Sequence, residues 1–413
     1  MLTRRRALGG LAALACGALA GCAPGRAAPF WFSYGGKPRE VLLSIVDAFH
    51  ASQSEHRIAP VYQGDYFETL AKLRTAIHVG MAPAVTHVVG ESIPYLVEAN
   101  VLEPIDDVAG ELDLVPELTQ AGMFGAERPG ATYALPFNRS TPIAYVNEEI
   151  FEAEGVKVPG TWDELRDVAR ALTRGEEADK RFGFACAIDW WFWVALVGQA
   201  GGSLFDADGR PAIASEPATE AIELWRGLVA DGVMRPPPGR DYNAWQVVNG
   251  DFIAGRAAMI WTSNAYLRYF DDNAKFAWRA VPLPRGAARS APTGGTFFVV
   301  PKGAPDVHRR AARAFLAFIM QPEQANRFAT LTGYIPVSRA GISLLERDGY
   351  YREHPSDRVP VDQLAVAHGW PWSTSLLRIQ REVIQPRLEA AILADRPARE
   401  VLAEAQTAAL GDG

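Results

Sequence analysis

Cysteine is scarce in this chain of 413 residues, with only Cys16, Cys22 and Cys186. The N-terminal pattern described below removes the first and modifies the second. Cys186 then stands alone, no internal disulfide can form, and a packed core must hold the fold. Its setting, Phe182-Gly183-Phe184-Ala185-Cys186-Ala187, is that of a small buried side chain rather than a nucleophile. The histidines (His50, His56, His78, His87, His308, His354, His368) form no i,i+4 pair and show no metal spacing with cysteine or acid, so neither metal nor cofactor is expected. The chain has no Gly-x-Ser-x-Gly elbow, no Walker loop and no Gly-x-Gly-x-x-Gly opening a helix. The adjacent acids Asp106-Asp107, Glu148-Glu149 and Asp271-Asp272 fall in polar loops or helix starts and read as solvated faces. A glycan or phosphodiester hydrolase survives only because two catalytic carboxylates need not be close in sequence. Positive charge is not in excess either: 41 Lys+Arg stand against 48 Asp+Glu, a net charge of −7, which excludes nucleic acid as a natural partner.

A hydrophobic fraction of 48% with 10% aromatics, and charged residues at 22%, describes a folded chain, long enough for two or three domains. The N-terminus stands apart. Met1–Arg6 is basic, Ala7–Ala20 is apolar but too short for a permanent span, and Leu19-Ala20-Gly21-Cys22 closes it. Residues 1–21 therefore read as a signal peptide, Cys22 as the lipidation site of a bacterial lipobox, and 22–29 as a flexible tether. Thr3-Arg4-Arg5-Arg6-Ala7-Leu8 fits twin-arginine or general secretion alike. Removing this stretch, with Arg4, Arg5 and Arg6 and no acid, takes the net charge from −7 to −10. The expected location is the periplasm or the outer face of the cytoplasmic membrane.

Beyond the tether, strand and helix patterns alternate. Phe30-Trp31-Phe32-Ser33, Arg57–Tyr62 and Ala84–Val89 read as strands. Between them lie helices at Pro38–Phe49, with Leu42, Ile45, Val46 and Phe49 on one face, and at Phe67–Val79. This alternation predicts a parallel sheet covered by helices on both faces, with ligands beyond the carboxyl ends of the strands, near Tyr34, Gly35, Tyr66 and Glu91. A second unit begins after Tyr145, where Thr161-Trp162-Asp163-Glu164 has the form of a capping box. Strands are expected at Arg181–Ile188, near Met259, at Phe276–Leu283 and at Gly295–Val300. Helices are expected at Glu216–Val229, Ala311–Ile319 and Pro322–Leu331, and from Pro386 to Leu410 with a break at Pro397. Aromatic residues gather near element ends: Tyr34, Tyr66, Trp190, Trp191, Trp193, Trp245, Trp261, Tyr334, Trp370 and Trp372. Flat rings of this kind cover the apolar faces of polyols and sugars, although about half should be core.

Several motifs in order carry a resemblance. Phe252-x-x-Gly255-x-Ala257-Ala258-Met259, Pro136–Asn147, Thr293-Gly294-Gly295 and Thr332-Gly333-Tyr334-Ile335-Pro336-Val337, with Phe30-Trp31-Phe32-Ser33, resemble the extracellular solute-binding proteins of ABC importers of the maltose-binding type. Within that family they are most similar to the branch that binds glycerol phosphate and glycerophosphodiesters. The resemblance implies a fold of two α/β lobes joined by hinge strands, with the ligand in the cleft. The first lobe would be 30–142 plus 264–335 and the second 143–263 plus 336–413, with hinges near Pro142–Tyr145, Trp261–Asn264 and Ile335–Ser338. It further implies a monomer that is not an enzyme, whose partners are a small-molecule ligand and the permease subunits of an importer.

The same resemblance assigns ligand contacts to Tyr66, Ser140, Ser263, one of Gly294 and Gly295, Tyr334, and an arginine that is either Arg378 or Arg381. Hydroxyls, backbone N–H groups and one forked guanidinium suit a phosphate. Two positions depart from the family pattern. Its acid at the tip of the third strand falls on Gly90, with Glu91 next. Its tryptophan under the glycerol falls on Ile188, with Trp190 and Trp191 following. Both changes lie on the alcohol side of the ligand, which points to a diester such as glycerophosphocholine; a neutral sugar or oligosaccharide is the alternative.

Overall fold

The computed structural model describes residues 27–110, 112–118, 131–176, 179–238 and 241–411. The expected signal peptide, most of the tether and Cys22 lie outside these residues. Along the chain, β1 (Ala28–Phe32), β2 (Ile58–Tyr62) and β3 (Val85–Val89) alternate with helices Gly36–Ser52 and Tyr66–His78. There follow β4 (Leu135–Ser140), β5 (Pro142–Asn147), β6 (Phe182–Cys186), β7 (Met234–Arg235), β8 (Ala257–Ser263) and β9 (Trp278–Val281). The last strands are β10 (Ala291–Pro292), β11 (Gly294–Val299) and β12 (Ala367–His368).

Two five-stranded sheets form among the described residues, in the orders β2-β1-β3-β11-β4 and β7-β6-β8-β5-β9. Each is mixed. In the first, β1 runs parallel to β2 and β3 while β11 is antiparallel to β3 and β4; in the second, β6 is parallel to β7 and β8 while β5 is antiparallel to β8 and β9. Every residue of β3 and of β8 is buried, the mark of strands covered on both faces. Helix Gly36–Ser52 presents Val41, Leu42, Ile45, Val46 and Phe49 to the first core, where Phe49 meets Phe315, which packs on Phe30 and through it on Phe298. The second core is built on Trp193, Trp225, Trp261 and Phe252, and Cys186 is fully buried in it. Burial raises the Cys186 thiol well above its ordinary range and leaves it inert.

Helix starts are the sharpest local signals. Asp65 accepts the N–H groups of Phe67 and Glu68 at 2.8 Å each, and Glu68 accepts the Asp65 N–H at 3.1 Å. This complete capping box fixes the helix start at Tyr66, one residue before the position expected from sequence. At Thr161 the hydroxyl accepts the Glu164 N–H at 3.2 Å, but Glu164 reaches past the cap to the Gly160 N–H at 2.6 Å.

The chain passes between the sheets at Thr141, the one residue separating β4 from β5. Its next passage is later than expected. Residues 264–281 do not return to the first lobe: Leu267 and Phe270 sit in the second core, and β9 pairs with β5 through Tyr145↔Ala280. A seven-residue helix and a four-residue edge strand carry too little pattern to declare which sheet they join. The return comes between β9 and β11. The last passage is also spread out. Helix Arg339–Arg347 still packs on helix Pro322–Thr332, and Val337, Val361 and Leu364 belong to the first core, before Trp370 and Leu376 enter the second. Buried side chains tie these passages together. Asn264 accepts the Thr141 N–H at 2.7 Å and donates to Gly333 O at 2.5 Å, while Gln363 donates to Thr141 Oγ1 at 2.9 Å and Pro142 O at 2.7 Å.

Candidate functional site

A cavity of about 800 Å³ opens between the two lobes. Its floor is made where strands of both sheets end or begin: Ser140 closes β4, Ser263 closes β8, and Gly294 and Gly295 open β11. Two glycines are required there by sterics. A Cβ on Gly295 (φ +94°) would lie 1.9 Å from Asn138 O, and one on Gly294 would lie 2.8 Å from Cζ2 of Trp191. The indole of the second lobe thus rests directly on the backbone of the first.

Tyr66, Glu91, Ser140, Trp190, Trp191, Ser263, Gly294, Gly295, Tyr334 and Arg381 all line this cavity; Arg378 does not. Between those two arginines the helical stretch widens into a π-turn over Ile379–Ile384, just before Pro386, which has no N–H to give to the carbonyl four residues back. The wide turn shifts the phase of the helix and delivers Arg381 alone to the cleft. Its guanidinium lies over the Phe67 ring at 3.5 Å, reaching from the second-lobe side to a helix of the first. Tyr34, expected near the crevice, is buried beneath it.

The first-lobe wall rests on a chain of buried hydrogen bonds. Ser33 N–H donates to His87 Nε2 at 2.9 Å, so His87 Nδ1 carries the proton and donates to Thr296 Oγ1 at 2.8 Å. Thr296 donates its hydroxyl and its N–H to Asn138 Oδ1, and Asn138 Nδ2 donates to the Tyr66 hydroxyl at 2.8 Å. Tyr66 in turn meets the Tyr334 hydroxyl at 3.5 Å. Tyr34 stacks on His87 at 4.4 Å, and burial lowers the imidazole to about 3, so it stays neutral. Glu91 follows β3 in a 3-10 turn over Gly90–Ser92, where the alternation of a strand no longer applies, and its carboxyl lines the cavity although it is offset by one residue from the family pattern. Burial pushes that carboxyl up to about 7, against the pull of Arg139 and Arg381. Arg139 lies wholly beneath the floor, over the Phe297 ring at 4.3 Å and donating to Thr293 Oγ1 at 3.0 Å.

The second-lobe wall is aromatic. Asp189 caps helix Trp190–Gln199 by accepting the Trp191 N–H at 2.9 Å, and its other oxygen accepts the Trp245 indole N–H at 3.2 Å. Trp191 and Trp245 stack with centroids 5.4 Å apart, and Trp190 packs on Trp370 at 5.2 Å. The Trp191 indole N–H is buried without a partner. Ile188 is buried in the second core and does not line the cavity, its carbonyl accepting from Gln385. Of the other aromatic candidates, Trp193 and Trp261 are core. Trp372 donates to Glu98 across the lobes.

Sequence reading missed Lys37, Glu40, Phe67, Gln246, Tyr266, Arg268, Tyr269, Asp272 and Leu377, which also line the cavity. Asp189 lines it as well, and Trp245 joins it as one of the aromatic residues marked near element ends. Most of the missed residues sit on helices whose facing only packing reveals. Among the described residues no cluster of histidine, cysteine and acid could hold a metal, and no helix is long and apolar enough to cross a membrane.

Comparison with known proteins places this arrangement. The chain is 28% identical over 390 residues to the sn-glycerol-3-phosphate-binding periplasmic protein UgpB of Yersinia pestis bv. Antiqua, covering 88% of this chain and 86% of that one. Its fold superposes with a TM-score of 0.82 on UgpB from Mycobacterium tuberculosis in complex with glycerophosphocholine, at 23% identity over 93% of this chain and 97% of that one. The GacH receptor of Streptomyces glaucescens, solved unliganded and with acarbose, gives the same TM-score at 18% identity, covering 94% and 98%. The family described as bacterial extracellular solute-binding protein matches residues 44–343, and the chain belongs to that family.

Proposed function

We propose that this protein is the lipid-anchored receptor of an ABC importer, exported and held at the membrane through Cys22, which captures a glycerol phosphate or, better, a glycerophosphodiester and passes it intact to the permease. The observation that carries this reading is the meeting of Arg381 with Ser140, Ser263, Gly294, Gly295 and Tyr334 around one inter-lobe cavity. Hydroxyls and backbone N–H groups solvate an anion, and a guanidinium forks onto two of its oxygens. The lining also favours a diester over a dianion. Three cations, Lys37, Arg268 and Arg381, face three acids, Glu40, Asp189 and Asp272, and Glu91, whose carboxyl burial raises to about 7, so a ligand with a single negative charge is less opposed than a dianion. Binding that bridges both walls shifts the lobes toward closure.

The protein is proposed to act as a monomer and to catalyse nothing. A neutral oligosaccharide is the second reading, favoured by the broad indole surface of Trp190, Trp191 and Trp245. Isothermal titration against sn-glycerol-3-phosphate, glycerophosphodiesters and maltodextrins separates the two, with recovered ligand checked by mass spectrometry. Tight binding of a phosphate ester recovered unchanged is expected. Binding of maltodextrin alone, or recovery of a cleaved product, would overturn the proposal.

A further inference from the structure

Resting on the reading of the inter-lobe cavity as the ligand site, we propose that Asn264 is the positioning residue for the hydroxyls of Ser140, Ser263 and Tyr334, so that ligand affinity depends on an amide the ligand never touches. Asn264 is fully buried and is not part of the cavity wall. It follows β8 of the second sheet, and its side chain reaches two other passages of the chain. Its Oδ1 accepts the Thr141 N–H at 2.7 Å, while its own N–H donates back to Thr141 O at 3.3 Å. Its Nδ2 donates to Gly333 O at 2.5 Å. Thr141 is the chain neighbour of Ser140, Gly333 of Tyr334, and Asn264 itself of Ser263. A further bond, from the Ile335 N–H to Arg139 O at 2.9 Å, closes a ring. Arg139-Ser140-Thr141 and Gly333-Tyr334-Ile335 are thereby joined at both ends, by Arg139 to Ile335 directly and by Thr141 to Gly333 through the Asn264 amide.

The ring also spans the lobes. Gly333 ends helix Pro322–Thr332, whose Ala325 and Phe328 belong to the first core, whereas Leu267, three residues after Asn264, belongs to the second. Gly333 has φ +88°, and a Cβ on it would lie 2.7 Å from Asn264 O and 2.9 Å from Leu267 Cβ. The lobes therefore meet one residue away from the hydroxyls that both present to the cavity. Only an amide suits this place. It must accept on one side and donate on the other, whereas a carboxylate has no proton for Gly333 O and an apolar side chain leaves a donor and an acceptor unpaired in the interior. Ser263 is set by the same turn, since its Oγ accepts the Ala265 N–H at 3.2 Å and keeps its own proton to give.

The test is titration calorimetry with sn-glycerol-3-phosphate and glycerophosphocholine on the full mature protein, Asn264→Leu and Gln363→Leu, each also combined with Tyr334→Phe and with Arg381→Lys. Melting curves establish that every variant is folded at the assay temperature, and Asn264→Ser, which keeps a polar group without the reach to Gly333, takes the place of Asn264→Leu if that variant does not fold. The Asn264 variant should bind the tighter probe about tenfold more weakly than the wild type. Gln363→Leu breaks two buried hydrogen bonds at the same crossing, to Thr141 Oγ1 and Pro142 O, without touching Gly333; it should lose comparable stability and keep its affinity within about twofold. Tyr334→Phe should cost about threefold in the wild type and nothing further beside the Asn264 change, because the hydroxyl is already out of place. Arg381→Lys, carried on another helix, should cost the same factor in both backgrounds. Unchanged affinity in a folded Asn264 variant, an equal loss in Gln363→Leu, or the full cost of Tyr334→Phe in both backgrounds would overturn the positioning role and leave the ligand reading standing. If the wild type binds neither phosphate ester, the ligand reading fails and the same series with maltotriose decides the positioning role; binding of none of the three overturns both.

Discussion

In the first lobe the cleft is prepared from behind. Tyr66 is held by a line of hydrogen bonds running from Ser33 through His87, Thr296 and Asn138, all buried and each with its partners named by geometry. In the second lobe the cleft is prepared by shape: indoles stack on one another, and a single carboxylate, Asp189, holds the indole N–H of Trp245 and the backbone N–H of Trp191. The contrast teaches how a two-lobed receptor divides its work. Buried polar networks hold hydroxyls at fixed positions because any misplacement leaves an unpaired donor, which costs free energy. Stacked rings tolerate more ways of seating a ligand, because an apolar face has no direction to satisfy. Arg381 joins the two, carried by the second-lobe helix yet resting on Phe67 of the first.

The sharpest way to break this comparison is to remove the joining residue. Arg381→Ala should weaken binding of a phosphate ester about 100-fold by calorimetry, the scale of a lost charged hydrogen-bond pair, whereas Arg378→Ala should change it less than threefold. Equal effects would mean that the π-turn does not sort the two arginines. Next in size, His87→Leu should cut the relay behind Tyr66. It leaves the Ser33 N–H without its acceptor, and unfolding by denaturant should show a loss of about 2 kcal/mol. An isosteric repair with no stability cost would argue that the first wall is held by packing alone.

A smaller effect concerns Glu91. Its carboxyl is raised to about 7 in the fold, above the usual carboxylate range, so the folded state holds a proton that the unfolded chain has released. The resulting stability is fully present at low pH and is lost as pH rises through 7. His87, lowered to about 3, has the opposite sign: its contribution is present above the usual histidine range and is lost as pH falls toward 3. Comparing the wild type with Glu91→Gln isolates the first. Between pH 5 and 8 the wild type should lose on the order of 1 kcal/mol relative to the variant. Parallel melting curves would place Glu91 in water instead. The smallest change is expected from Tyr334→Phe, which keeps the ring stacked on Phe328 and removes one hydroxyl from the cavity; binding should weaken about threefold with the melting temperature unchanged.

Much of this molecule was legible before any coordinates. Alternating strand and helix patterns from Phe30 to Val89 gave the three parallel strands of the first sheet but not the antiparallel β11 and β4 that complete it, because β3 is buried along its whole length and the first helix carries one apolar stripe. Ser140, Ser263, Gly294, Gly295 and Tyr334 could be marked because they lie in short motifs with a family pattern. The passage of 264–281 into the second sheet could not, since edge strands satisfy only one neighbour and leave little trace in composition. Nor could Phe67 as the seat of Arg381. That contact joins residues far apart in the chain, and cation–π pairing has no sequence periodicity.

By itself, the amino-acid order determined the two α/β cores, the helix starts at Asp65 and Thr161, the apolar setting that buries Cys186 and the set of polar residues at strand ends. These follow from local sterics, from hydrogen bonds a few residues long, and from the periodicity with which apolar side chains must be hidden. Only the tertiary structure decided which arginine faces the cleft, how Glu91 enters it one position late, and that Asp189 caps a helix and accepts the Trp245 indole N–H while buried. Those outcomes depend on a widened helical turn, a 3-10 turn and the docking of one helix on another. Each is set by long-range packing, which no short stretch of sequence contains.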